Sequence, residues 1–323
     1  MEEGNYEFPY VIEEANSQSI QSKMKPVTVG PKRYRFPGAY SILGPQFYNF
    51  EIRPNDIFLV GLPRSGTTWS QETIWLLNNN LDYEKAKANI ISDRFPLLDL
   101  QLLTSQIFES SSASTVKGFE SPLKWLPDAP SPRFIKSHLP LSLLPPKLLD
   151  TTKVVYVARD PRDMAVSFYK FLKLMFLKDN IDFKTFWDLF SQEKICWTPN
   201  FDHIKEAWAL RDHPNLLFVT YEEMSADLPS TLHCLATFFG KQLNDDQMRE
   251  LHEHLRFENF KKNKAVNRES TYKAIGFIDD GEHSFVRRGK AGGWQDYFDE
   301  DLIAHAKKWM AENLAGSDLP FSI

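Results

Sequence analysis

The chain has 323 residues, 42% of them hydrophobic, which is enough to bury a core as one large domain or two small ones. Its 43 acidic residues outnumber its 38 lysines and arginines, so it lacks the global positive charge on which non-specific nucleic-acid binding relies. Two cysteines, an acidic N-terminus and no long apolar run argue against a disulfide framework, a zinc finger, a signal peptide and a membrane span, and they predict a cytoplasmic protein.

Four short apolar runs, each followed by a turn and then by a helical pattern, predict buried strands of a parallel sheet. In chain order they are Ile57–Val60, Phe134-Ile135 with its flanks, Val154–Ala158 and Leu216–Val219. Helices are expected from about Thr67, from Pro161, around Leu232 to Phe239, and from Leu302 to Leu314. We therefore expect one α/β domain over residues 1–323, with a central parallel β-sheet flanked by helices and residues 1–34 as an N-terminal extension. Residues 110–114 and 263–282 lack periodicity and are expected to form an insertion and a long loop.

The first strand runs into a glycine-rich turn, Gly61–Thr68, with the spacing of a phosphate-binding loop. Its glycines let backbone N–H groups converge on an anion at the N-terminus of the next helix. Thr67 stands where a nucleoside triphosphate motif needs lysine, whereas a cation, Arg64, appears three residues earlier. The pattern favours a phosphate cradle of another kind, and a turn without a ligand is the alternative.

The second strand ends in Lys136-Ser137-His138, and alternation places Lys136 and His138 on the same side. A cation beside a titratable base suits proton removal from a nucleophile near a developing negative charge. A structural histidine is equally compatible with this pattern.

Further candidates for anion binding follow the third strand and lie far downstream. Arg159 precedes a helix that contains Ser167, and Arg287 and Arg288 lie in a basic segment with Gly289. Ion pairs and a solvated charge run are the ordinary alternatives. Tyr221, after the fourth strand, suits either a hydrogen bond to a base or a place in the core.

Four motifs together resemble those of the cytosolic sulfotransferase family, over about residues 35 to 315. They are Pro63-Arg64-Ser65-Gly66-Thr67-Thr68-Trp69, Lys136-Ser137-His138-Leu139-Pro140, Val157-Ala158-Arg159-Asp160-Pro161-Arg162-Asp163 through Ser167, and Arg287-Arg288-Gly289-Lys290-Ala291-Gly292-Gly293-Trp294. The resemblance implies a single α/β domain with a P-loop-like phosphosulfate-binding loop. It also implies 3′-phosphoadenylyl sulfate (PAPS) as the donor, adenosine 3′,5′-bisphosphate (PAP) as the product, and no metal.

The resemblance implies roles for the matched positions. At the 5′-phosphosulfate end it places Arg64, Ser65, Gly66, Thr67 and Thr68, with Arg64 near the bridging oxygen. Around the adenine it places Trp69, Phe257 and Tyr221. At the 3′-phosphate it places Arg159, Ser167, Arg287, Arg288 and Gly289. His138 is expected to act as the general base on the acceptor, Lys136 to stabilise the transferring group, and Phe171 to line the acceptor pocket.

The sequence departs from the family pattern at two places. Arg64 replaces the usual lysine, and guanidinium is not interchangeable with ammonium. Residues 295–300, after Trp294, lack the family's short dimer motif, so a homodimer formed by that route is unsupported. The segments 159–163 and 281–283 look most like insect members of the family, which include a retinol dehydratase that uses the same donor but eliminates water.

Four functions are compatible with these residues. The leading hypothesis is sulfonation of a small hydrophobic acceptor, with a phenol preferred because its hydroxyl is closer in pKa to a histidine base. The alternative is PAPS-dependent dehydration of an allylic alcohol such as retinol. The third hypothesis, an ATP-dependent small-molecule kinase, is disfavoured by Thr67 at the position of the usual lysine. The fourth is a protein that binds the nucleotide without turnover, and Arg64 is the residue that favours it.

Overall fold

The structure is a computed structural model that describes residues 6–15, 25–104, 120–175, 181–267, 289 and 291–323. The expectations for residues 110–114, for 268–282 and for Arg287 and Arg288 lie outside these described residues. The strands are β1 (Ile12–Glu14), β2 (Val27–Val29), β3 (Tyr34–Phe36), β4 (Ile57–Val60), β5 (Phe134–Ser137), β6 (Lys153–Ala158) and β7 (Leu216–Thr220).

The helices vary from one turn to four turns. They are α1 (Tyr40–Tyr48), α2 (Thr67–Asn78), α3 (Tyr83–Ala88), α4 (Ile91–Arg94), α5 (Leu100–Thr104), α6 (Pro122–Trp125), α7 (Leu148–Thr151), α8 (Pro161–Met175), α9 (Phe183–Ser191), α10 (Asn200–Ala209), α11 (Tyr221–Ala226), α12 (Leu228–Phe238), α13 (Asp245–Leu255), α14 (Phe257–Lys262), α15 (Lys264–Asn267) and α16 (Glu300–Leu314). Short 3-10 turns cover Leu126–Asp128, Leu141–Leu143 and Gly293–Asp296.

The central sheet has the strand order β5-β4-β6-β7. Strand β4 pairs in parallel with β5 on one side and with β6 on the other, so that Val60 lies beside both Ser137 and Tyr156. All four residues of β4 are buried, as expected for a central strand in a sheet covered by helices. The predicted α/β class with a central parallel sheet is confirmed.

The helices predicted after β4, β6 and β7 are α2, α8 and α12, and the predicted C-terminal helix is α16. Each forms where apolar residues recur at helical spacing. In α8, Ala165, Phe168 and Leu172 are buried, so the stripe that predicts the helix is also the face it packs with.

Two parts of the chain differ from expectation. In the N-terminal extension, β1 and β2 join β3 in an antiparallel sheet that the sequence did not predict. Strands of three residues are too short to show a periodic pattern. The loop expected from Asn263 is wrong for Lys264–Asn267, which form α15 because Ala265 and Val266 are buried there.

The described chain divides into two compact units. The first consists of Met1–Leu62, Pro96–Tyr156 and Trp187–Phe218, and the second of Pro63–Phe95, Val157–Phe186 and Val219–Ile323. Across the described ranges, every helix is too short or too polar to cross a membrane.

Candidate active site

The turn between β4 and α2 is the segment predicted to bind an anion. Helix α2 is preceded by its N-cap residue Gly66, which has φ +92° and provides no capping side chain, so no side chain caps the N–H groups at the start of the helix. A Cβ at Gly66 would lie 2.6 Å from the ring of Tyr221, which excludes any larger residue. Ser65 and Thr67, on either side, are buried. With this geometry the backbone of the turn can bind a phosphate-like group.

Arg64 is held against helix α8. Its Nε donates a hydrogen bond of 3.1 Å to Ser167 Oγ, and its guanidinium carbon lies 5.3 Å from the centre of the Phe171 ring. Its φ of +74° is unfavourable for a residue with a side chain. The structure therefore brings Arg64 together with one residue predicted for the 3′-phosphate and one predicted for the acceptor pocket. Its place at the bridging oxygen stays a prediction.

Arg159 lies over Tyr221, with its guanidinium carbon 4.2 Å from the ring centre. One terminal nitrogen donates to the Arg64 carbonyl at 3.2 Å, and the other is 3.9 Å from the Asp163 carboxylate. Its buried Nε has no hydrogen-bond partner within the described ranges. A guanidinium with spare donor capacity beside the cradle can bind a second anionic group.

Three aromatic residues and Gly289 form the predicted base-binding region. The indole N–H of Trp69 donates to the Leu255 carbonyl at 3.0 Å, and the Trp69 ring centre is 5.9 Å from that of Tyr221. Gly289 has φ +59°, and a Cβ there would collide with the ring of Phe257. Glycine is therefore required where this backbone approaches the ring.

Asp163, in the first turn of α8, was not among the predicted residues. Its carboxylate accepts hydrogen bonds from the N–H of Gly292 at 2.7 Å and of Trp294 at 2.8 Å. Burial raises its pKa, against the opposing positive charge of Arg159. Asp163 thus fixes the segment that follows Gly289. The one sequence signal was a carboxylate four residues after Arg159.

His138 follows β5 and is 5% exposed. Its ring Nδ1–H donates a short hydrogen bond of 2.5 Å to the Gly61 carbonyl. Its main-chain N–H donates to both carboxylate oxygens of Asp99, at 3.1 and 3.2 Å. Its main-chain carbonyl accepts from the ring of His203. Both the ring and the main chain of His138 are therefore held by specific partners.

Asp99 is the buried acid of this group, and it was not among the residues predicted from the sequence. Burial raises the pKa of Asp99 to about 7, although the His138 N–H and the positive charge of Lys136 oppose this change. The main chain of Lys136 is anchored nearby, with its N–H on the Pro96 carbonyl at 2.8 Å and its carbonyl on the Leu98 N–H at 2.7 Å. The sequence signal for Asp99 was a single carboxylate within an apolar stretch.

The predicted site residues fall into two groups. Lys136 and His138 lie in the first unit. The second unit contains Arg64, Ser65, Gly66, Thr67, Thr68, Trp69, Arg159, Ser167, Phe171, Tyr221, Phe257 and Gly289. Within the described ranges there is no cluster of three or more His, Cys, Asp or Glu residues that could hold a metal ion.

Comparison with known proteins identifies the class of enzyme. A family model described as a sulfotransferase domain matches residues 54–318. Luciferin sulfotransferase of Photinus pyralis is 35% identical over 277 residues, which cover 83% of this chain and 74% of that protein. Sulfotransferase 1E1 of Bos taurus is 32% identical over 282 residues, which cover 85% of this chain and 90% of that protein.

Solved structures of related proteins also resemble this chain. Retinol dehydratase in a complex with retinol and PAP is 39% identical and aligns over 98% of this chain and 99% of its own, with a TM-score of 0.89. Retinol dehydratase in complex with androsterone and PAP aligns with a TM-score of 0.88, also at 39% identity, over 97% of this chain and 98% of its own. The chain belongs to the sulfotransferase family. It is a PAPS-dependent enzyme, with PAPS as donor and PAP as product.

Proposed function

We propose that this enzyme transfers the sulfuryl group of PAPS to the hydroxyl of a small hydrophobic acceptor, a phenol, and that His138 is the general base. The transfer needs one group that takes the hydroxyl proton and several donors that stabilise charge on the transferring group. The observation that carries this proposal is the hydrogen bond from the ring of His138 to the Gly61 carbonyl.

That hydrogen bond supports a specific nitrogen of His138 as the proposed base. A carbonyl oxygen only accepts hydrogen bonds, so the proton of neutral His138 lies on Nδ1 and the lone pair lies on Nε2. Nε2 takes the proton of the acceptor hydroxyl as the acceptor oxygen bonds to sulfur, while the bond between sulfur and the bridging phosphate oxygen breaks and PAP leaves with that oxygen. A phenol suits this step better than an alkyl alcohol because its pKa is closer to that of imidazole.

The residues of the second unit fit the donor. PAPS supplies a sulfuryl group attached to a phosphate leaving group. The uncapped first turn of α2, with Arg64 to Thr68, would bind the 5′ end through backbone N–H groups. Arg159, with its spare Nε, and Ser167 would bind the 3′-phosphate together with Arg287, Arg288 and Gly289. Trp69, Phe257 and Tyr221 would hold the adenine.

Lys136 contributes charge rather than proton transfer in this proposal. Its positive charge lowers the pKa of Asp99, the acid that accepts a hydrogen bond from the His138 N–H. A cation there stabilises negative charge on the peripheral oxygens of the transferring group.

The direct test is His138→Ala, assayed with PAPS and a panel of phenols. We expect turnover to fall by at least about 100-fold, the usual contribution of a general base, while PAP affinity changes by no more than about threefold. His233→Ala, at an exposed histidine, is the matched control and should leave both unchanged. Turnover retained by His138→Ala would remove that residue from the role of base.

A second candidate function is dehydration of an allylic alcohol such as retinol. It is favoured by one observation, the 39% identity to retinol dehydratase over 98% of this chain. In that reaction the hydroxyl is first sulfonated. Sulfate then leaves with the original hydroxyl oxygen, a saturated carbon at the far end of the conjugated double bonds loses a proton, and the double bonds shift along the chain.

Product mass distinguishes the two functions. The purified enzyme is incubated with PAPS and either phenols or retinol, and the products are analysed by mass spectrometry. Sulfonation adds one SO₃ group to the acceptor, whereas dehydration removes one water. A stable sulfate ester of a phenol together with unreacted retinol would support the phenol proposal, and anhydroretinol as the main product would overturn it in favour of dehydration.

A further inference from the structure

A buried pair of side chains, His203 and Tyr156, anchors the main chain of His138. Nε2 of His203 is 3.3 Å from the His138 carbonyl, and Nδ1 of His203 is 2.7 Å from the hydroxyl of Tyr156. His203 is 2% exposed and Tyr156 is fully buried. All three residues belong to the first unit.

The direction of these hydrogen bonds follows from the chemistry of the partners. Because a carbonyl only accepts, the proton of His203 lies on Nε2 and is donated to His138. Nδ1 then carries a lone pair and accepts the Tyr156 hydroxyl proton. Burial lowers the pKa of His203 to about 4, against the opposing charge of Glu206, so the ring is neutral at physiological pH. Every polar atom of His203's ring and the Tyr156 hydroxyl is thereby satisfied.

The same helix holds the segment after His138 at a second point. Glu206 lies one turn after His203 in α10, and its carboxylate accepts hydrogen bonds from the N–H of Ser142, at 2.5 Å, and from its hydroxyl, at 3.0 Å. Lys32 and Tyr34 each donate a hydrogen bond of 3.0 Å to the same carboxylate. Helix α10 therefore fixes both ends of residues 138–142 with two side chains on one face.

We propose that His203 is a positioning residue for His138: through the His138 carbonyl it holds the peptide so that Nδ1–H stays on Gly61 and Nε2 stays directed at the acceptor. This inference rests on the proposed role of His138 as base. Loss of the His203 hydrogen bond would leave the His138 carbonyl buried without that partner and would allow the peptide to rotate. Small displacements of a reacting group reduce the rate of the chemical step more than they reduce binding.

The test compares His203→Leu with His203→Gln. Leucine cannot form either hydrogen bond, whereas the glutamine amide can donate to the His138 carbonyl and accept from Tyr156. For His203→Leu we expect kcat to fall by about 10- to 100-fold, with the acceptor KM and the PAP Kd within about threefold of wild type. His203→Gln should recover most of kcat.

Tyr34→Phe is the matched control for stability. It removes another buried tyrosine hydroxyl bonded to α10, through Glu206, without touching the His138 carbonyl. We expect it to lower the unfolding midpoint without lowering kcat. NMR of histidine-labelled protein gives a readout besides activity, because the His138 Nδ1–H signal should be lost or shifted in His203→Leu and retained in His203→Gln.

The outcomes separate this inference from the proposed function. If His138→Ala is inactive while His203→Leu has the same kcat as Tyr34→Phe, the positioning role is wrong. It is also wrong if His203→Gln has a kcat as low as that of His203→Leu. If His138→Ala turns over normally, the base assignment fails and this inference fails with it. If His203→Leu does not fold, Tyr156→Phe decides: a several-fold loss of kcat beyond that of Tyr34→Phe supports the role, and an unchanged kcat overturns it.

Discussion

Arg64 and Ser167 are 103 residues apart in the sequence, yet Arg64 Nε donates a 3.1 Å hydrogen bond to Ser167 Oγ. The side chain of Arg64, in the glycine-rich turn, is thus bound to helix α8. The same guanidinium lies over the Phe171 ring. Both contacts suit a planar guanidinium better than an ammonium group, which accounts for arginine at a position where lysine is usual.

This contact predicts how Arg64 variants behave. Arg64→Lys keeps the charge and should retain kcat/KM within about tenfold, whereas Arg64→Met should lose about 10- to 100-fold, because a charge-assisted hydrogen bond contributes about 1.5–3 kcal/mol. Steady-state assays with PAPS and a fixed phenol measure both. Equal activity of wild type and Arg64→Met would show that this cation has no part in transfer.

Arg159 should distinguish nucleotides by their 3′-phosphate. With its spare Nε, it is expected to contact that phosphate, so Arg159→Gln should weaken PAP binding about 10- to 100-fold and AMP binding much less. Isothermal titration with PAP and AMP, without magnesium, measures the ratio. An equal loss for both nucleotides would place Arg159 away from the 3′-phosphate and leave it as a support for Tyr221.

Gly289 and Gly292 offer a matched pair. Both have positive φ, +59° and +75°, but a Cβ at Gly289 would collide with the Phe257 ring, whereas nothing lies within 4 Å of a Cβ at Gly292. Alanine at either position should cost about 1–2 kcal/mol of stability through its backbone conformation. Only Gly289→Ala should also displace Phe257 and weaken PAP binding, by at least about tenfold if that ring stacks on the adenine. Similar PAP affinities for the two variants would contradict the role of Phe257.

Asp99 should make stability depend on pH. Its folded-state pKa of about 7 lies above the ordinary value of 3.8, so the folded state binds more protons than the unfolded state between these values. Its contribution to the free energy of unfolding therefore falls as pH rises from about 4 to 7. Asp99→Asn removes the buried charge while its amide oxygen can still accept the His138 N–H.

Relative to wild type, Asp99→Asn should gain stability between about pH 5 and pH 8, on the order of a few kcal/mol at most, in urea unfolding at each pH. Asp227→Asn is the control. Hydrogen bonds from the Ser230 side chain and main chain lower the pKa of Asp227, so its effect should be constant over that range. A pH-independent difference for Asp99→Asn would mean that Asp99 is ionised throughout.

Much of the fold could be predicted from local pattern. Strands β4, β6 and β7 lie within one residue of the predicted runs, because strands buried on both faces read as continuous apolar segments. The N-terminal sheet was missed because each of its strands has only three residues, too few to show a periodic pattern. The N–H of Arg35 in β3 also donates to the Thr198 carbonyl at 2.7 Å. No local pattern encodes such a partner.

Part of the candidate site could likewise be predicted from local sequence, and part of it could not. The residues of the glycine-rich turn follow one another in the sequence, and so do Lys136, Ser137 and His138. The chemistry of each motif could therefore be predicted from the sequence. Asp99 and His203 act on His138 from 39 and 65 residues away, and nothing near either one in the sequence indicates that contact.

Residue type and spacing were sufficient for the α/β class and predicted an anion-binding turn, because each depends on groups that are adjacent in the chain. The donor followed from the resemblance of four separate motifs to one family. Folding decided which nitrogen of His138 carries the proton, since that depends on the Gly61 carbonyl brought beside it by the pairing of β4 with β5. Folding also decided that Arg64 lies against Ser167 and that a buried histidine forms a hydrogen bond with the His138 carbonyl. These are contacts between distant residues, and only burial and strand register bring them within hydrogen-bonding distance.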